Sequence, residues 1–108
     1  MNLLKETLEK LKLNGKTELD VKWVGNENYY FSWEEFKEIG MNTEYDSGYG
    51  SAEIAMDLLV VGEDFWLERY KYDGSEGWEF KTLPKKPKGY KVFAKLACGM
   101  WSQLEDLN

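Results

Sequence analysis

Residues 51–83 limit the choice of fold more than any other part of the chain, because two short turn sequences divide them into strand-like runs. Residues 51–61 and 65–72 flank the Gly-Glu-Asp turn at 62–64, and this spacing predicts an antiparallel hairpin. A second turn over 73–77 adds a third strand. The pattern therefore predicts a three-stranded antiparallel meander.

The side chains that would face each other across these strands predict the register. Placing Val61 opposite Phe65 gives one apolar face and one face with paired opposite charges. The predicted apolar pairs are Val60 with Trp66, Met56 with Tyr70, Ile54 with Tyr72, Tyr72 with Trp78, and Tyr70 with Phe80. The predicted charged pairs are Asp57 with Arg69 and Lys71 with Glu79.

Glu68 does not fit this register, which puts it on the apolar face opposite Leu58. We interpret Glu68 as a carboxylate at an edge position that reaches water. The alternative, a buried carboxylate with a functional partner, stays open, since burying an unpaired charge is costly.

The segments before the meander predict one helix and two strands. Leucines at three- and four-residue spacing indicate a helix over residues 2–13. Strands are predicted near 17–31: one over 17–24 and a short aromatic one over 29–31. In the first of these strands, Leu19, Val21 and Trp23 would share one side.

Two further helices are predicted, one in mid-chain and one near the C-terminus. Ser32 and Glu35 have capping-box spacing at the start of a short helix that ends at Gly40. A stripe of apolar residues from Val92 to Leu104 indicates the C-terminal helix. We therefore expect an α+β fold, with the meander 51–83 and the strands near 17–31 in one antiparallel sheet, covered by N-terminal and C-terminal helices.

A chain of 108 residues is expected to form a single domain, 1–108. Its hydrophobic fraction of 43% is enough to build a core, so the charge content does not imply disorder. The N-terminal run MNLLKETLEKLK has acids where a signal peptide needs an apolar stretch, and the longest aliphatic run, 58–61, is too short to span a bilayer. We expect a cytoplasmic location without membrane contact.

Charge is unevenly distributed along the chain. Residues 17–80 hold sixteen acidic and four basic side chains, a net charge of −12, whereas residues 81–95 hold six lysines and no acid. The chain has no histidine and one cysteine, the side chains that most often serve acid–base and nucleophilic catalysis near neutral pH. This combination favours a binding protein over an enzyme. The overall charge of −6 argues against direct binding to nucleic acid or an anionic membrane.

No cofactor is expected from the residue pattern. Zinc lacks ligands, and Cys98 lies among apolar neighbours without a histidine base. Oxygen-bearing side chains from Asn42 to Glu53 have partial calcium-loop spacing, but Ser47 stands where the loop needs glycine. We interpret the acids as solvated surface groups.

The loop 41–50 and the turn 73–77 are predicted to meet at one end of the sheet, because adjacent strands of the meander begin and end there. The loop is rich in the residue types that make adaptable binding surfaces. The alternative is a connecting loop whose tyrosines fold back on the sheet. The candidate partner-binding residues are Glu44, Tyr45, Asp46, Tyr49, Asp73 and Glu76.

Three segments in the middle of the chain, 44–50, 60–69 and 72–76, resemble small acidic proteins encoded by phages and prophages of Gram-positive bacteria. The resemblance covers roughly the central third of the chain and carries no catalytic motif. It implies that the protein acts in a bacterial host cytoplasm, where phage proteins of this size often inhibit host defence, as anti-CRISPR proteins do.

The leading hypothesis is a non-catalytic acidic protein that blocks a basic nucleic-acid-processing protein, in the manner of an anti-CRISPR protein or a nucleic-acid mimic. One alternative is an assembly protein that forms a homodimer through an apolar surface, because residues 58–61 are apolar on both strand faces. Another is a small enzyme that uses carboxylates. The lysines of 81–95 either neutralise the acidic sheet or form a separate anion-binding patch.

Overall fold

The computed structural model describes residues 1–46, 52–97, 99–100 and 103–107, and it has the α+β architecture expected from the sequence. Five antiparallel strands form one sheet in the order β2-β1-β3-β4-β5. The elements are α1 (Leu3–Leu13), β1 (Val21–Gly25), β2 (Tyr30–Phe31), α2 (Trp33–Met41), β3 (Leu59–Gly62), β4 (Phe65–Tyr72) and β5 (Ser75–Thr82). Neither described helix has the length and apolar composition needed to span a bilayer.

Side-chain caps begin both helices. The side chain of Asn2 accepts a hydrogen bond from the Lys5 N–H at 3.0 Å and starts α1. Ser32 and Glu35 form the predicted capping box at the start of α2, which ends at Met41, one residue beyond the predicted end. The first two of the three predicted helices are thus confirmed, because their caps and apolar spacing are local signals.

The core lies between the helices and one face of the sheet, which we call the inner face. Leu3 and Leu11 of α1, with Trp33 and Phe36 of α2, pack in the same cluster as the central strands. The buried apolar residues on the inner face of the strands are Val24, Val60, Phe65, Leu67 and Trp78. The sheet therefore buries one face under both helices.

The predicted register of the first hairpin is wrong by one residue. Val60 pairs with Leu67 rather than with Trp66, so the turn consists of Glu63 and Asp64 alone. Gly62 explains the shift: a side chain there would clash with the Phe65 ring, which lies against the glycine. Because successive strand residues face opposite sides, the shift exchanges the two faces of β4.

The first strand of the meander is also shorter than predicted. β3 begins at Leu59, and residues 52–58 are not in a strand. Ile54 is buried and Met56 is exposed, so neither forms the predicted pair with Tyr72 or Tyr70.

The predicted second turn, over 73–77, is wrong as well. The turn has two residues, Asp73 and Gly74, with φ angles of 51° and 85°. Two successive positive φ angles are the geometry that Asp-Gly favours in a tight hairpin. Tyr72 therefore pairs with Ser75, and Arg69 rather than Tyr72 lies opposite Trp78.

The predicted strand 17–24 is correct only in its second half. Residues Glu18–Asp20 form a short 3-10 helix held by a capping box between Thr17 and Asp20. Leu19 is consequently 88% exposed instead of facing the core. An irregularity between Val21 and Trp23 then turns Val24 inward.

The predicted C-terminal helix is not present in the described residues. Residues 83–97 have no regular secondary structure, and Leu104–Asp106 form a short 3-10 turn before the buried Leu107. The apolar side chains of Val92 and Leu96 are exposed, so they lack the packing that stabilises most helices in proteins. Gly99, with a φ of 93°, also departs from helical geometry.

Candidate functional site: an acidic end above a buried arginine

Arg69 lies under the helices because β4 places every second side chain on the inner face. Phe65 and Leu67 precede it on that face, and Trp78 lies opposite it on β5. Its guanidinium group is 4.7 Å from the centre of the Trp78 ring. Arg69 is only 5% exposed, which makes it a buried cation in need of partners.

Three side chains supply those partners. Arg69 donates hydrogen bonds from Nη2 to Glu76 Oε2 at 2.9 Å and to the Tyr45 hydroxyl at 3.1 Å. Its Nη1 lies 3.4 Å from Glu6 Oε1 of α1. The Tyr45 hydroxyl in turn donates to the same Glu6 oxygen at 2.5 Å. We call Glu6, Tyr45, Arg69 and Glu76 the arginine cluster.

Glu76 connects this cluster to the chain that follows the loop. One of its oxygens accepts a hydrogen bond from the Glu53 N–H at 2.7 Å, and the other is 3.3 Å from the Ile54 N–H. Tyr45 is held from the other side, because its backbone exchanges two hydrogen bonds with Met1. The arginine cluster therefore fixes the positions of residues 45 and 53–54 relative to the sheet.

The pKa values in the cluster reflect burial and hydrogen bonding together. Burial alone raises the pKa of Glu76, but the hydrogen bonds from the Glu53 N–H, from Arg69 and from the Ile54 N–H outweigh it and lower the pKa below 4.5. Burial and the hydrogen bond to Glu6 raise the pKa of Tyr45 to about 12. At neutral pH the cluster thus contains ionised Glu76 and a neutral tyrosine.

The cluster is a closed set of interactions rather than an open chemical site. Its polar atoms bind one another and the backbone, except Arg69 Nε, which has no hydrogen-bond partner among the described residues. Two of the sequence-predicted partner-binding residues, Tyr45 and Glu76, belong to this interior network. The interpretation of them as exposed binding residues is therefore corrected: Tyr45 is 6% exposed and Glu76 is 5% exposed.

The predicted meeting of loop and turn is nevertheless seen. Arg69 joins Tyr45 to Glu76, and Glu76 is three residues beyond Asp73 in the adjacent turn. Glu44, Asp46 and Asp73 are exposed, as predicted. Tyr49 lies outside the described residues.

Exposed carboxylates surround a shallow depression at this end of the sheet, which Glu44, Asp46, Glu53 and Met1 line. Glu53 Oε2 accepts a hydrogen bond from the Asp46 N–H at 3.0 Å, which brings these two residues together. We call Glu44, Asp46, Glu53 and the neighbouring Asp73 the acidic end.

Two positive charges lie at the acidic end. The amino group of Met1 is 3.9 Å from Glu44, and Lys71 lies opposite Glu76 in the register of β4 and β5. The exposed carboxylates therefore outnumber the exposed cations at the described part of this surface.

Two members of the site were not found from the sequence. Glu53 was considered only as a calcium ligand, although its position at the end of the loop indicates that it shares the surface of Asp46. Arg69 was assigned to the solvent-facing side because of the wrong register. Its position as the only arginine in a strand with aromatic neighbours was the available signal.

Glu68, the residue left open by the sequence, lies on the outer face of the sheet with partial exposure. It accepts a hydrogen bond from Trp66 Nε1 at 2.7 Å. The corrected register thus removes the anomaly, since Glu68 never faces the core.

Among the described residues, no three carboxylate or cysteine side chains are gathered as a metal site would require. The calcium-like stretch from Asn42 to Glu53 includes residues 47–51, which lie outside the described part of the chain. Within the part that is described, Glu53 binds the Asp46 backbone.

The lowered pKa of Glu76 predicts a specific pH dependence of stability. A carboxyl group whose pKa is lower in the folded state stabilises that state above the unfolded pKa, and the stabilisation is lost as pH falls through the folded pKa. The difference in unfolding free energy between the wild type and Glu76→Gln should therefore be largest at neutral pH. It should begin to shrink as pH falls below about 4.5, the ordinary pKa of glutamate, and become smallest below the lowered pKa of folded Glu76, where the protonated side chain resembles glutamine.

Urea unfolding from pH 7 to pH 3 measures this difference. Glu18→Gln is a useful comparison, because hydrogen bonds from Trp33 and Lys37 lower the pKa of Glu18 at an exposed position. A stability difference for Glu76→Gln that stays constant over this range would contradict the assignment of Glu76 as the ionised partner of Arg69.

Comparison of the chain with models of known protein families, with curated proteins and with solved structures gave no match.

Proposed function

We propose that the protein is a non-catalytic interaction protein whose acidic end binds a basic site on another protein. The observation that supports this most directly is that the exposed acids lie on backbone segments held in place by the buried arginine cluster. Asp46 and Glu53 are exposed and joined by a hydrogen bond, and the next polar layer is the buried arginine cluster. Charges on a fixed framework lose little conformational freedom when they bind.

The charge of the rest of the molecule supports the same partner class. Residues 1–82 carry a net charge of −9, whereas residues 83–97 carry five lysines and no acid. A negative body accelerates the approach of a positively charged partner, and this acceleration weakens as salt increases. The partner expected from this charge is a strongly basic protein surface.

Nucleic-acid-processing proteins present such surfaces, because they bind a polymer with one negative charge for about every 1.7 Å of duplex. An acidic protein that occupies their basic groove competes directly with nucleic acid. The resemblance of the central segments to phage and prophage proteins supports an inhibitory role in a bacterial host cytoplasm. We therefore propose a stoichiometric inhibitor of a nucleic-acid-processing protein.

Neutralising the acidic end tests this proposal. The triple variant Glu44→Gln, Asp46→Asn and Glu53→Gln removes three charges while it keeps side-chain size and hydrogen-bond acceptors. We expect it to lose at least about tenfold in association rate with the partner at low salt, and to show a weaker salt dependence. The wild type and the variant are used to capture proteins from a Gram-positive bacterial lysate, and captured proteins are then challenged with duplex DNA.

A matched control carries the same charge change elsewhere. Glu9, Glu27 and Glu63 are exposed and lie outside the acidic end, so the triple Glu→Gln variant at these positions has the same net charge. The proposal predicts that the control captures the same proteins as the wild type and that duplex DNA displaces them. Equal capture by both triple variants, or capture that DNA does not affect, would contradict it.

A further inference from the structure

The centre of the outer face of the sheet is apolar, and neither described helix packs on this face. Both helices pack on the inner face, where they share the core with β1 and β5. Tyr30 is exposed on the outer face, Tyr70 is 39% exposed, and the central residues keep partial exposure. Those central residues are Trp23, Leu59, Val61 and Trp66.

Aromatic and aliphatic side chains that form one exposed surface usually mark an interaction site. β3 lies in the middle of the sheet order, so Leu59 and Val61 occupy the centre of this face rather than its edge. Residues 58–61 are apolar on both strand faces, and the described helices cover only one of these faces.

A second apolar surface lies in the segment 83–97, which we call the tail. Tyr90 is 91% exposed, and Leu83, Val92 and Leu96 are also exposed. The radius of gyration of the chain is 18.0 Å, compared with about 13 Å for a compact domain of this length. The tail is therefore extended and leaves most of its apolar side chains in water.

The tail and the remainder of the chain have opposite charges. The tail has five lysines and no acid, and residues 1–82 have a net charge of −9. Glu68 and Glu79 lie opposite each other on the outer face, and Lys81, on the same face, forms an ion pair with Glu79 at 3.5 Å. A basic, apolar tail is therefore complementary to this face in hydrophobicity and to the negatively charged residues 1–82 in charge.

The start of the tail favours contact with another molecule. The Leu83 N–H donates to the Asp64 carbonyl at 3.2 Å, which fixes the direction in which the chain leaves β5. Pro84 and Pro87 follow at once, and proline-rich segments act as extended, semi-rigid spacers. Residues 88–97 are exposed, apart from the half-buried Phe93, so they are not packed against the sheet to which they are attached.

We propose that the outer face binds the tail of a second copy of this chain, so that two copies exchange tails in a two-fold symmetric dimer. Each copy then supplies one tail and one face, and the symmetric exchange closes without leaving an unused binding surface. The outer face and the acidic end are different surfaces. The dimer and the proposed function are therefore tested by separate experiments on different residues.

The first test is the mass of the wild-type protein by light scattering across the micromolar concentration range. We expect a concentration-dependent increase toward twice the monomer mass of 12.7 kDa. The tail variant Val92→Asp with Leu96→Asp and the face variant Tyr30→Lys with Tyr70→Lys should each weaken dimerisation at least about tenfold. Both variants change exposed residues, so circular dichroism should show an unchanged fold.

The control is Leu13→Asp with Ile39→Asp, which also adds two acids at exposed apolar positions but outside both surfaces. It should dimerise as the wild type does. The decisive measurement mixes the face variant with the tail variant, because the first still offers a normal tail and the second a normal face. Their mixture should form a heterodimer with one intact contact between tail and face, at a concentration where neither variant dimerises alone.

Each contrary result overturns the exchange. A wild type that stays monomeric rules out the second copy as the occupant. A tail variant that alters only the hydrodynamic radius of a monomer shows that the tail binds its own sheet. Dimerisation that persists in both variants, or a mixture without heterodimer, shows that the copies associate through other surfaces.

Discussion

Replacing Arg69 with methionine is expected to lower the free energy of unfolding by about 3–5 kcal/mol. The substitution keeps a long side chain between Tyr45 and Trp78 but removes the guanidinium group that forms ion pairs with Glu76 and Glu6. Glu76 would then be a buried carboxylate that keeps only its backbone hydrogen bonds. The loss of a single partner from a buried ion pair costs more than the pair itself contributes.

Lys81→Met is the matched control, because Lys81 is also on a strand and also pairs with a glutamate. That ion pair, with Glu79, is exposed, so its loss should change stability by about 0.5 kcal/mol or less. Urea unfolding of both variants at pH 7 measures the comparison. Similar losses for Arg69→Met and Lys81→Met would show that the arginine cluster does not stabilise the fold.

A double variant separates the cost of the unpaired acid from the loss of packing. Arg69→Met with Glu76→Gln removes both buried charges, and its loss of stability should be smaller than the sum of the two single losses. Residues 45 and 53–54 are attached to the sheet through this cluster, so Arg69→Met should also loosen the acidic end. Additive losses would indicate that Arg69 and Glu76 act independently.

The helices could be predicted from the sequence because their signals are local. The side-chain cap at Ser32 and the leucine spacing of α1 depend on residues no more than a few positions apart. The antiparallel class followed from turn residues for the same reason. The C-terminal stripe was misleading, since an apolar helical pattern forms a helix only when another surface covers it, and Val92 and Leu96 are exposed.

The strand registers could not be fixed in this way because two competing patterns fit the same residues. Aromatic and charge pairing favoured a three-residue first turn, whereas the contact between Gly62 and Phe65 requires a two-residue turn. The Asp73-Gly74 pair is a turn signal strong enough to fix the second register, but the pairing of aromatic residues favours a different one.

The location of the candidate site could be predicted from the sequence, but the division between its exposed and its buried residues could not. That the loop and the turn meet follows from the order of the strands, which does not depend on register. Whether Tyr45 and Glu76 point outward does depend on the register, because Arg69 on the inner face donates hydrogen bonds to both side chains. The sequence assigned Arg69 to the other face, and the interior network remained hidden for that reason.

The corrected register has a consequence that two alanine substitutions can measure. Leu67 is fully buried beneath the helices and pairs with Val60, whereas Tyr70 is 39% exposed on the outer face. Leu67→Ala should lower the free energy of unfolding by about 2–5 kcal/mol, because it removes buried methyl groups and leaves a cavity. Tyr70→Ala should cost only about 1 kcal/mol, although it deletes the larger side chain.

The two registers predict opposite rankings, which makes this comparison decisive. The register inferred from aromatic pairing places Tyr70 on the packed face and Leu67 on the charged face, so it predicts the larger loss for Tyr70→Ala. Guanidinium unfolding at a protein concentration below the range in which the dimer is expected to form gives both values without a contribution from dimerisation. A larger loss for Tyr70→Ala would contradict the pairing of Val60 with Leu67 and, with it, the inward position of Arg69 two residues along the same strand.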